Sequence, residues 1–434
     1  MARADIVTAI DVGTDKCVTI IAAIDKELHS IRVMGVSAIP SRGVKKSQII
    51  DLEQVLISVT ESLDSAERMA GVEIKNAYVS ISGAHVSSLN SKGVVAVAAP
   101  DQEISNDDVT RVIEAARAIS LPSDREVIHI IPKSFSVDSQ EGIKDPVGMT
   151  GVRLETEAHI ITGLTTTMRN LEKCILDLGI NLDGFVFSGL ASAEVVISET
   201  EKELGVVALD IGAGSTSMCV YVDGSLEYSA SLPIGARHIT QDIALGCRVS
   251  LDAAEKIKTH LSTDNLKPIN PHPGESKQDF SKRKKQHDSL QLSDIGVIDE
   301  SEYISKKSVV EGIMVPRMKE LINLVGEQLE KKRLLALVPA GLVLTGGGAQ
   351  TVMFTEVAKH TLQLPARIGL PQELQGLTSD IHSPTYSTAI GLLVYGTKQM
   401  QTTDKASFNF SKMPFGKLTE FPTKIIQFFR SLVP

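Results

Sequence analysis

The chain has 434 residues, 42% hydrophobic and 22% charged, with a formal net charge of −9. That length and composition predict a soluble globular protein with ample core and two or more domains. The negative balance argues against a broad nucleic-acid surface, which needs a basic face to neutralise phosphates. The four cysteines, Cys17, Cys174, Cys219 and Cys247, lie far apart, mostly in apolar segments, without the paired spacing of a zinc or redox site. Free thiols in a reducing compartment are expected. Met1-Ala2-Arg3-Ala4-Asp5 leads straight into a first strand, and no stretch reaches the roughly 18 apolar residues of a membrane span. Both features predict a cytoplasmic protein.

The first element is the apolar run Ile6 to Ile10, closed by the polar turn Asp11-Val12-Gly13-Thr14 and followed by a β-branched stretch, Val18 to Ile24. Strands continue to about Ala38. A helix is predicted from Asp51, its N-cap, to about Ala70, because Leu52, Val55, Leu56, Val59 and Leu63 recur at helical spacing. After a strand at Ala77 to Ser82, residues Gly83 to Thr162 read as an inserted unit. It holds strands near Gly93 to Ala98, Val127 to Val137 and Glu157 to Ile161, and a helix from about Asn106 to Ile119 opened by the capping run Ser105-Asn106-Asp107-Asp108. The first lobe resumes with a helix near Met168 to Leu178, a strand at Phe185 to Phe187 and a helix starting by Ser188 to Glu194. His85, His129 and His159 lie in or beside apolar strands and are expected to be hydrogen-bonded structural histidines.

Val206 to Leu209, the turn Asp210-Ile211-Gly212-Ala213-Gly214-Ser215-Thr216, and Met218 to Val222 repeat the opening pattern. Glycines in such turns let backbone N–H groups approach a ligand, hydroxyls add donors, and an aspartate can hold a hydrated metal ion. The pair therefore reads as a duplicated phosphate clamp. One copy alone is an ordinary hairpin turn. The second copy, its matching strands and a third glycine turn, Thr345-Gly346-Gly347-Gly348 after the run Gly341 to Leu344, favour a nucleotide held between two similar lobes. In the second lobe, Ile239 to Leu245 and Leu251 to Leu261 are predicted helices. Ser262 to about Asp299 contains Pro268, Pro271, Pro273 and the basic cluster Lys282-Arg283-Lys284-Lys285, loses periodicity, and is expected to be a mobile surface loop. A long helix from about Val309 to Lys332 and a closing helix from Tyr386 to Gln399 complete the α/β body.

Six of the eleven phenylalanines, Phe408, Phe410, Phe415, Phe421, Phe428 and Phe429, fall in the tail. Gln401 to Lys412 has the mixed polar composition of a linker. Phe421, Ile425, Phe428, Phe429 and Leu432 then share one helical face, and Thr423, Lys424, Gln427, Arg430 and Ser431 the other, with Pro422 at an early helical position. Two readings fit this pattern equally well. One is a helix docked in a groove of its own or a neighbouring domain, and the other is an amphipathic helix with a basic face on an anionic membrane.

The order and spacing of the turns resemble the actin, sugar-kinase and chaperone ATPase superfamily. Within it, several stretches closely resemble FtsA, the actin-like bacterial cell-division family. They are Ser82-Gly83-Ala84-His85-Val86-Ser87-Ser88-Leu89-Asn90-Ser91-Lys92-Gly93, Gly142 to Gly151, Leu154 to Gly163, Leu232-Pro233-Ile234-Gly235 leading into Ile239-Thr240-Gln241-Asp242-Ile243-Ala244, and Tyr386-Ser387-Thr388-Ala389-Ile390-Gly391-Leu392. The resemblance covers about residues 5 to 400, apart from 262 to 299. It implies a two-lobed actin-like α/β fold with four subdomains. Lobe one takes residues 1–83, 163–200 and the closing helix 380–400, with a displaced, FtsA-type subdomain at 84–162. Lobe two takes 201–237 and 306–379, with its small subdomain at 238–305; a linker (401–414) and a membrane-targeting helix (415–434) follow.

The resemblance also implies ATP and Mg2+ as cofactors and self-association into filaments. FtsZ, other division proteins and membrane lipids become the partners, nucleic acid does not, and the protein is placed on the cytoplasmic side of the inner membrane at the division septum. By the same resemblance, Asp11, Gly13, Thr14 and Lys16 form the first phosphate turn, and Asp210, Gly212, Gly214, Ser215 and Thr216 the second. Asp11 and Asp210 steer magnesium through its waters, Glu255 and Lys258 contact the nucleoside, and Gly346, Gly347 and Gly348 lie against the adenosine and α-phosphate. From the residues alone, Glu255 and Lys258 are an ordinary surface i,i+3 ion pair. Phe421, Lys424, Ile425, Phe428, Phe429, Arg430 and Leu432 become membrane contacts. Asp15 stands where the family usually has a small hydroxyl residue, and Ala213 where it has glycine. No residue can be named as a general base for water, so at most a slow ATPase is expected. A sugar kinase has no use for such a tail, a DnaK-type chaperone would need a β-rich domain that the residues after Gly396 are too few to form, and MreB lacks an insertion of the 84–162 type.

Overall fold

The computed structural model describes residues 5–25, 30–97, 103–263, 270–272, 275–297, 303–377 and 381–405. The first apolar run forms strand Asp5–Val12, which turns back on Lys16–Asp25 in antiparallel register with Asp11 opposite Val18. Ser30–Pro40 extends this meander, while Asn76–Ile81 and Asn181–Phe187 add in parallel on the other side. The second lobe repeats the arrangement. Val206–Ile211, Thr216–Val222 and Ser225–Leu232 form the meander, and Gly341–Thr345 and Ala366–Ile368 add in parallel. Each lobe thus carries a five-strand unit of the same order, and Gln375–Gly376 supplements the first as a short edge strand beside Ser30–Pro40.

Two helices, Ser188–Val196 and Ser387–Lys405, run between the sheets and join them through one apolar core. Val7, Val18 and Ile20 enter it from the first sheet, Val206, Ala208 and Cys219 from the second, and Ala191, Ile390 and Leu393 from the helices. The helices come closest at Gly391, where a Cβ would stand 1.9 Å from the Ala191 carbonyl oxygen. On the outer face of the first sheet lies helix Leu52–Ala70, whose buried Val55, Val59, Leu63 and Ala66 each contribute burial worth up to about 1.5–3 kcal/mol for the larger side chains. Asp51 caps it by accepting from the Gln54 N–H at 3.1 Å, and Gly71 ends it in the left-handed region with φ of 69°.

The inserted unit is a separate four-stranded antiparallel sheet, in the order Ser87–Ala96, Arg153–Leu164, Arg125–Val137 and Gln140–Ile143, with helix Asn106–Arg117 packed against it. Ser105 and Asp108 close a capping box at the start of that helix. The helix comes so near the edge strand that a Cβ on Gly93 would meet the Val112 carbonyl oxygen at 2.2 Å. The insert also touches the second lobe. Ser88 donates to the Ser229 carbonyl at 2.7 Å, His159 joins Asn90 at 2.7 Å and the Ser229 hydroxyl at 2.6 Å, and Lys133 lies between Glu157 and Glu227. His85, His129 and His159 are all buried and hydrogen-bonded, His129 accepting the Phe187 N–H at 3.0 Å.

Residues 262–299 correct the expectation of a mobile loop. Their described part holds helix Lys277–Asp288, strand Ser289–Gln291 paired with Tyr303–Ser305, and the short turn Leu292–Ile295. The helix buries none of its residues, so no apolar period marks it. It is held instead by polar capping: Ser276 accepts the Asp279 N–H, and Arg283 forks onto Glu275 at 2.9 and 2.7 Å. Leu290, Leu292 and Val297 anchor the segment in the second-lobe core. Residues 264–269, 273–274 and 298–302, including Pro268 and Pro273, lie outside the described residues. The long helix expected from Val309 to Lys332 is a composite of Lys306–Val309, a wide π turn at Val310–Met314 and Val315–Lys331. Pro316 lacks the N–H that would continue a regular ladder, and the wide turn sits just before it. The tail, with the expected helix at Phe421 to Leu432, lies outside the described residues.

Candidate functional site

The two glycine turns are built alike. The Gly13 N–H donates to the Lys16 carbonyl at 3.0 Å and the Gly212 N–H to the Ser215 carbonyl at 2.9 Å, closing each hairpin tightly. Because the lobes are joined by shared helices, the turns face one another across a cleft of about 370 Å³, within the range of small-ligand sites. The approach is close: a Cβ on Gly214 would stand 2.5 Å from Thr14 Oγ1 and 2.9 Å from Lys46 Cα. Gly346, at φ of 80°, admits the third turn beside the second, since a Cβ there would lie 2.4 Å from Asp210 Oδ1. A Cβ on Gly347 would meet only Thr385 Oγ1, at 3.9 Å, an ordinary contact.

Asp11, Gly13, Thr14, Lys16, Asp210, Gly212, Gly214, Ser215, Glu255, Lys258, Gly346, Gly347 and Gly348 all line the cleft. Thr216 does not. As the first residue of its strand it points into the core, fully buried, and donates to the Ile234 carbonyl at 2.8 Å, while the next residue, Ser217, faces the cleft. Glu255 and Lys258 meet as an i,i+3 pair at 2.7 Å, and both also reach the Thr240 hydroxyl, at 2.6 and 3.0 Å. They are thus an ion pair and a wall of the cleft at once.

Other lining residues, Ser47 among them, are marked by neither glycine nor aspartate in the sequence. Lys46 and Ser47 form the turn of a small hairpin, Val44–Lys45 with Gln48–Ile49, and both hold left-handed backbone, φ 50° and 59°. This turn inserts between the two glycine hairpins. The Ser47 N–H donates to Thr14 Oγ1 at 2.9 Å, and its hydroxyl lies 2.7 Å from that of Ser215. Thr388 and Gln350 also line the cleft, from elements far apart in the chain.

The electrostatics of the cleft are unbalanced. Five carboxylates, Asp11, Asp15, Asp210, Asp252 and Glu255, face three cations, Lys16, Arg237 and Lys258. Burial raises the pKa of Asp11 above the usual carboxylate value, against the hydrogen bond from Ser80 at 2.5 Å and the nearby Lys16 charge. Burial likewise pushes Asp210 up to about 6, opposed by the Thr388 hydroxyl and assisted by the Asp11 charge. Burial lowers the pKa of Lys16, whose ammonium sits 4.3 Å from the centre of the Tyr386 ring. A polyphosphate brought here would meet an excess of negative charge, which a divalent cation would offset. Asp11 and Asp210, one oxygen-donor group from each hairpin, are the hard ligand type such a cation takes, directly or through water.

Two sheets of one strand order, each opened by a glycine hairpin and joined over a polar cleft, define an actin-like two-lobed α/β protein. Solved structures share this fold at low sequence identity. The PilM-PilN type IV pilus biogenesis complex superposes with a TM-score of 0.60 at 13% identity, covering 90% of this chain and 98% of that one. MreB 5 of Spiroplasma citri bound to AMPPNP gives 0.53 at 13% identity, covering 93% and 99%. The sequence narrows the class. Residues 83–162 match the model of the SHS2 domain inserted in FTSA, and residues 207–391 match that of the cell division protein FtsA. The chain is 34% identical to the cell division protein FtsA of Pseudomonas aeruginosa over 393 residues, 91% of this chain and 89% of that protein. It is 36% identical to that of Borreliella burgdorferi, covering 92% of each, and 32% identical to that of Escherichia coli K12, covering 90% of each. The chain belongs to the FtsA family of actin-like cell-division proteins. Among the described residues no helix is long and apolar enough to cross a membrane.

Proposed function

We propose that this protein binds ATP with Mg2+ in the interlobe cleft, polymerises on the cytoplasmic face of the inner membrane and anchors FtsZ there at the division septum. The observation that carries this reading is the convergence of both glycine hairpins and the Gly346–Gly348 turn on one cleft with an excess of carboxylates. Gly13, Thr14, Gly212, Gly214 and Ser215 would supply N–H and hydroxyl donors to the phosphates, and Lys16 a charge. Gly346 to Gly348 and the Glu255–Lys258 wall would hold the nucleoside end. Asp11 and Asp210 would hold Mg2+ through its waters, and the ion would neutralise the phosphate oxygens. A nucleotide analogue bound to the fold neighbour MreB 5 supports ATP as the ligand.

The division of the chain at residues 83, 162, 200, 237, 305, 379, 400 and 414 belongs to this proposal, as does the tail helix. Its apolar face, Phe421, Ile425, Phe428, Phe429 and Leu432, would enter the lipid while Lys424 and Arg430 meet anionic headgroups. One such helix binds reversibly, and an array of subunits binds through avidity, so polymerisation and membrane attachment would reinforce each other. Co-sedimentation with anionic vesicles tests this, using the full chain and a version ending at Lys412, with and without ATP and magnesium. Loss of pelleting on truncation, with an ATP-dependent rise in the full chain, is expected. Equal pelleting of both versions would remove the tail from membrane attachment.

A further inference from the structure

The helix Ser387–Lys405 begins at the cleft rather than beside it. Thr388, its second residue, is 7% exposed and donates its hydroxyl to Asp210 Oδ2 at 2.7 Å, across 178 residues of sequence. The helix start is fixed on the other side as well. Ser387, fully buried, shares a hydrogen bond of 2.7 Å with Thr345, whose hydroxyl also reaches the Gly369 carbonyl at 3.1 Å. Thr345 ends the strand that leads into the Gly346–Gly348 turn. Thr388 thus holds Asp210 Oδ2, and the missing side chain of Gly346 leaves room beside Oδ1, since a Cβ there would lie 2.4 Å from it. A carboxylate held so has a set orientation toward the cleft. A freely rotating one would lose the directional match to water bound on a cation, for which positions within about 0.5 Å matter.

We infer that Thr388 is a positioning residue that orients Asp210 for the water shell of the nucleotide-bound cation. This rests on the reading of the cleft as a site for ATP with Mg2+. Thr388 touches neither ligand in this role. It acts through Asp210, and its effect should appear only when the cation is present.

The test measures ATP affinity by equilibrium dialysis, in Mg2+ and in EDTA, for the full chain and for Thr388→Val, Thr388→Ala, Thr388→Ser and Asp210→Asn. Mg2+ is expected to tighten binding to the unsubstituted protein and to Thr388→Ser. In Thr388→Val that gain should shrink at least tenfold while affinity in EDTA falls less than threefold, and in Asp210→Asn the gain should disappear. Thr388→Ala carries the comparison if the valine variant does not fold. An unchanged Mg2+ gain, or an equal loss in Mg2+ and EDTA, would overturn the positioning role and leave the nucleotide reading standing. No ATP binding by the unsubstituted protein in either condition would overturn both.

Discussion

Asp210 illustrates a conflict between binding and stability within one side chain. Its pKa is pushed up to about 6 by burial, so its charge is disfavoured in the ligand-free protein. A carboxyl with a raised folded pKa contributes stability at low pH that is lost as pH rises from about 4 through about 6. At pH 7.5 the cost is at most about 3 kcal/mol. Asp210→Asn removes that charge and keeps an acceptor for Thr388. The ligand-free variant should therefore melt at a higher temperature than the unsubstituted protein at pH 7.5; an equal or lower melting temperature would contradict the desolvation argument. Gly214 makes the opposite case. Alanine there sets a Cβ 2.5 Å from Thr14 Oγ1 and 2.9 Å from Lys46 Cα, so Gly214→Ala should push the hairpins apart, lowering stability by about 1–3 kcal/mol and weakening ATP binding. Dialysis and denaturant titration of the same preparation would read both, and undiminished affinity would deny the close approach any part in the site.

At the scale of elements, the crossing of the two interlobe helices depends on a residue with no side chain. Gly391→Ala would place a methyl group 1.9 Å from the Ala191 carbonyl oxygen, an atom of the opposing backbone that cannot rotate away. A loss of about 1–3 kcal/mol, or more, is expected, and urea unfolding that leaves the midpoint unmoved would count against this packing. Elements with an apolar period are legible in the residues themselves. Helix Leu52–Ala70, with Asp51 as N-cap, and helix Asn106–Arg117, opened at Ser105, lie where spacing and capping chemistry place them. Helix Lys277–Asp288 is illegible in the sequence because its stability comes from caps and a guanidinium fork, which leave no hydrophobic rhythm. The cleft residues divide in the same way. Both hairpins and the Gly346 turn announce themselves through glycine and aspartate, whereas Ser47 and Thr388 are common residues whose roles come only from what they touch.

Across the whole molecule, the insert is bound to the second lobe by a polar strip that contains a buried histidine. Burial holds His85 and His129 at about 4 and His159 at about 3, with the Lys133 charge assisting at His159. These folded values lie below the unfolded value near 6.5. Their contribution is full above about pH 6.5 and is lost as pH falls toward 4, by at most about 3–5 kcal/mol for each. Three such groups outweigh the opposite trend of Asp11 and Asp210, whose pKa values burial raises, so melting temperature should fall as pH drops below 6.5. In His159→Gln the slope should flatten, and a variant with the original slope would exclude His159 from this acid sensitivity.

The sequence by itself determined the repeated strand–turn–strand units, the glycine turns, the inserted unit and the resemblance to FtsA, because each is written in residues near one another in the chain. Only the tertiary structure decided that the turns meet, that Thr216 faces the core, that Ser47 bridges the hairpins and that Thr388 holds Asp210. Those relations join residues up to 178 positions apart, and they arise from the packing of two sheets on shared helices, which no local pattern encodes.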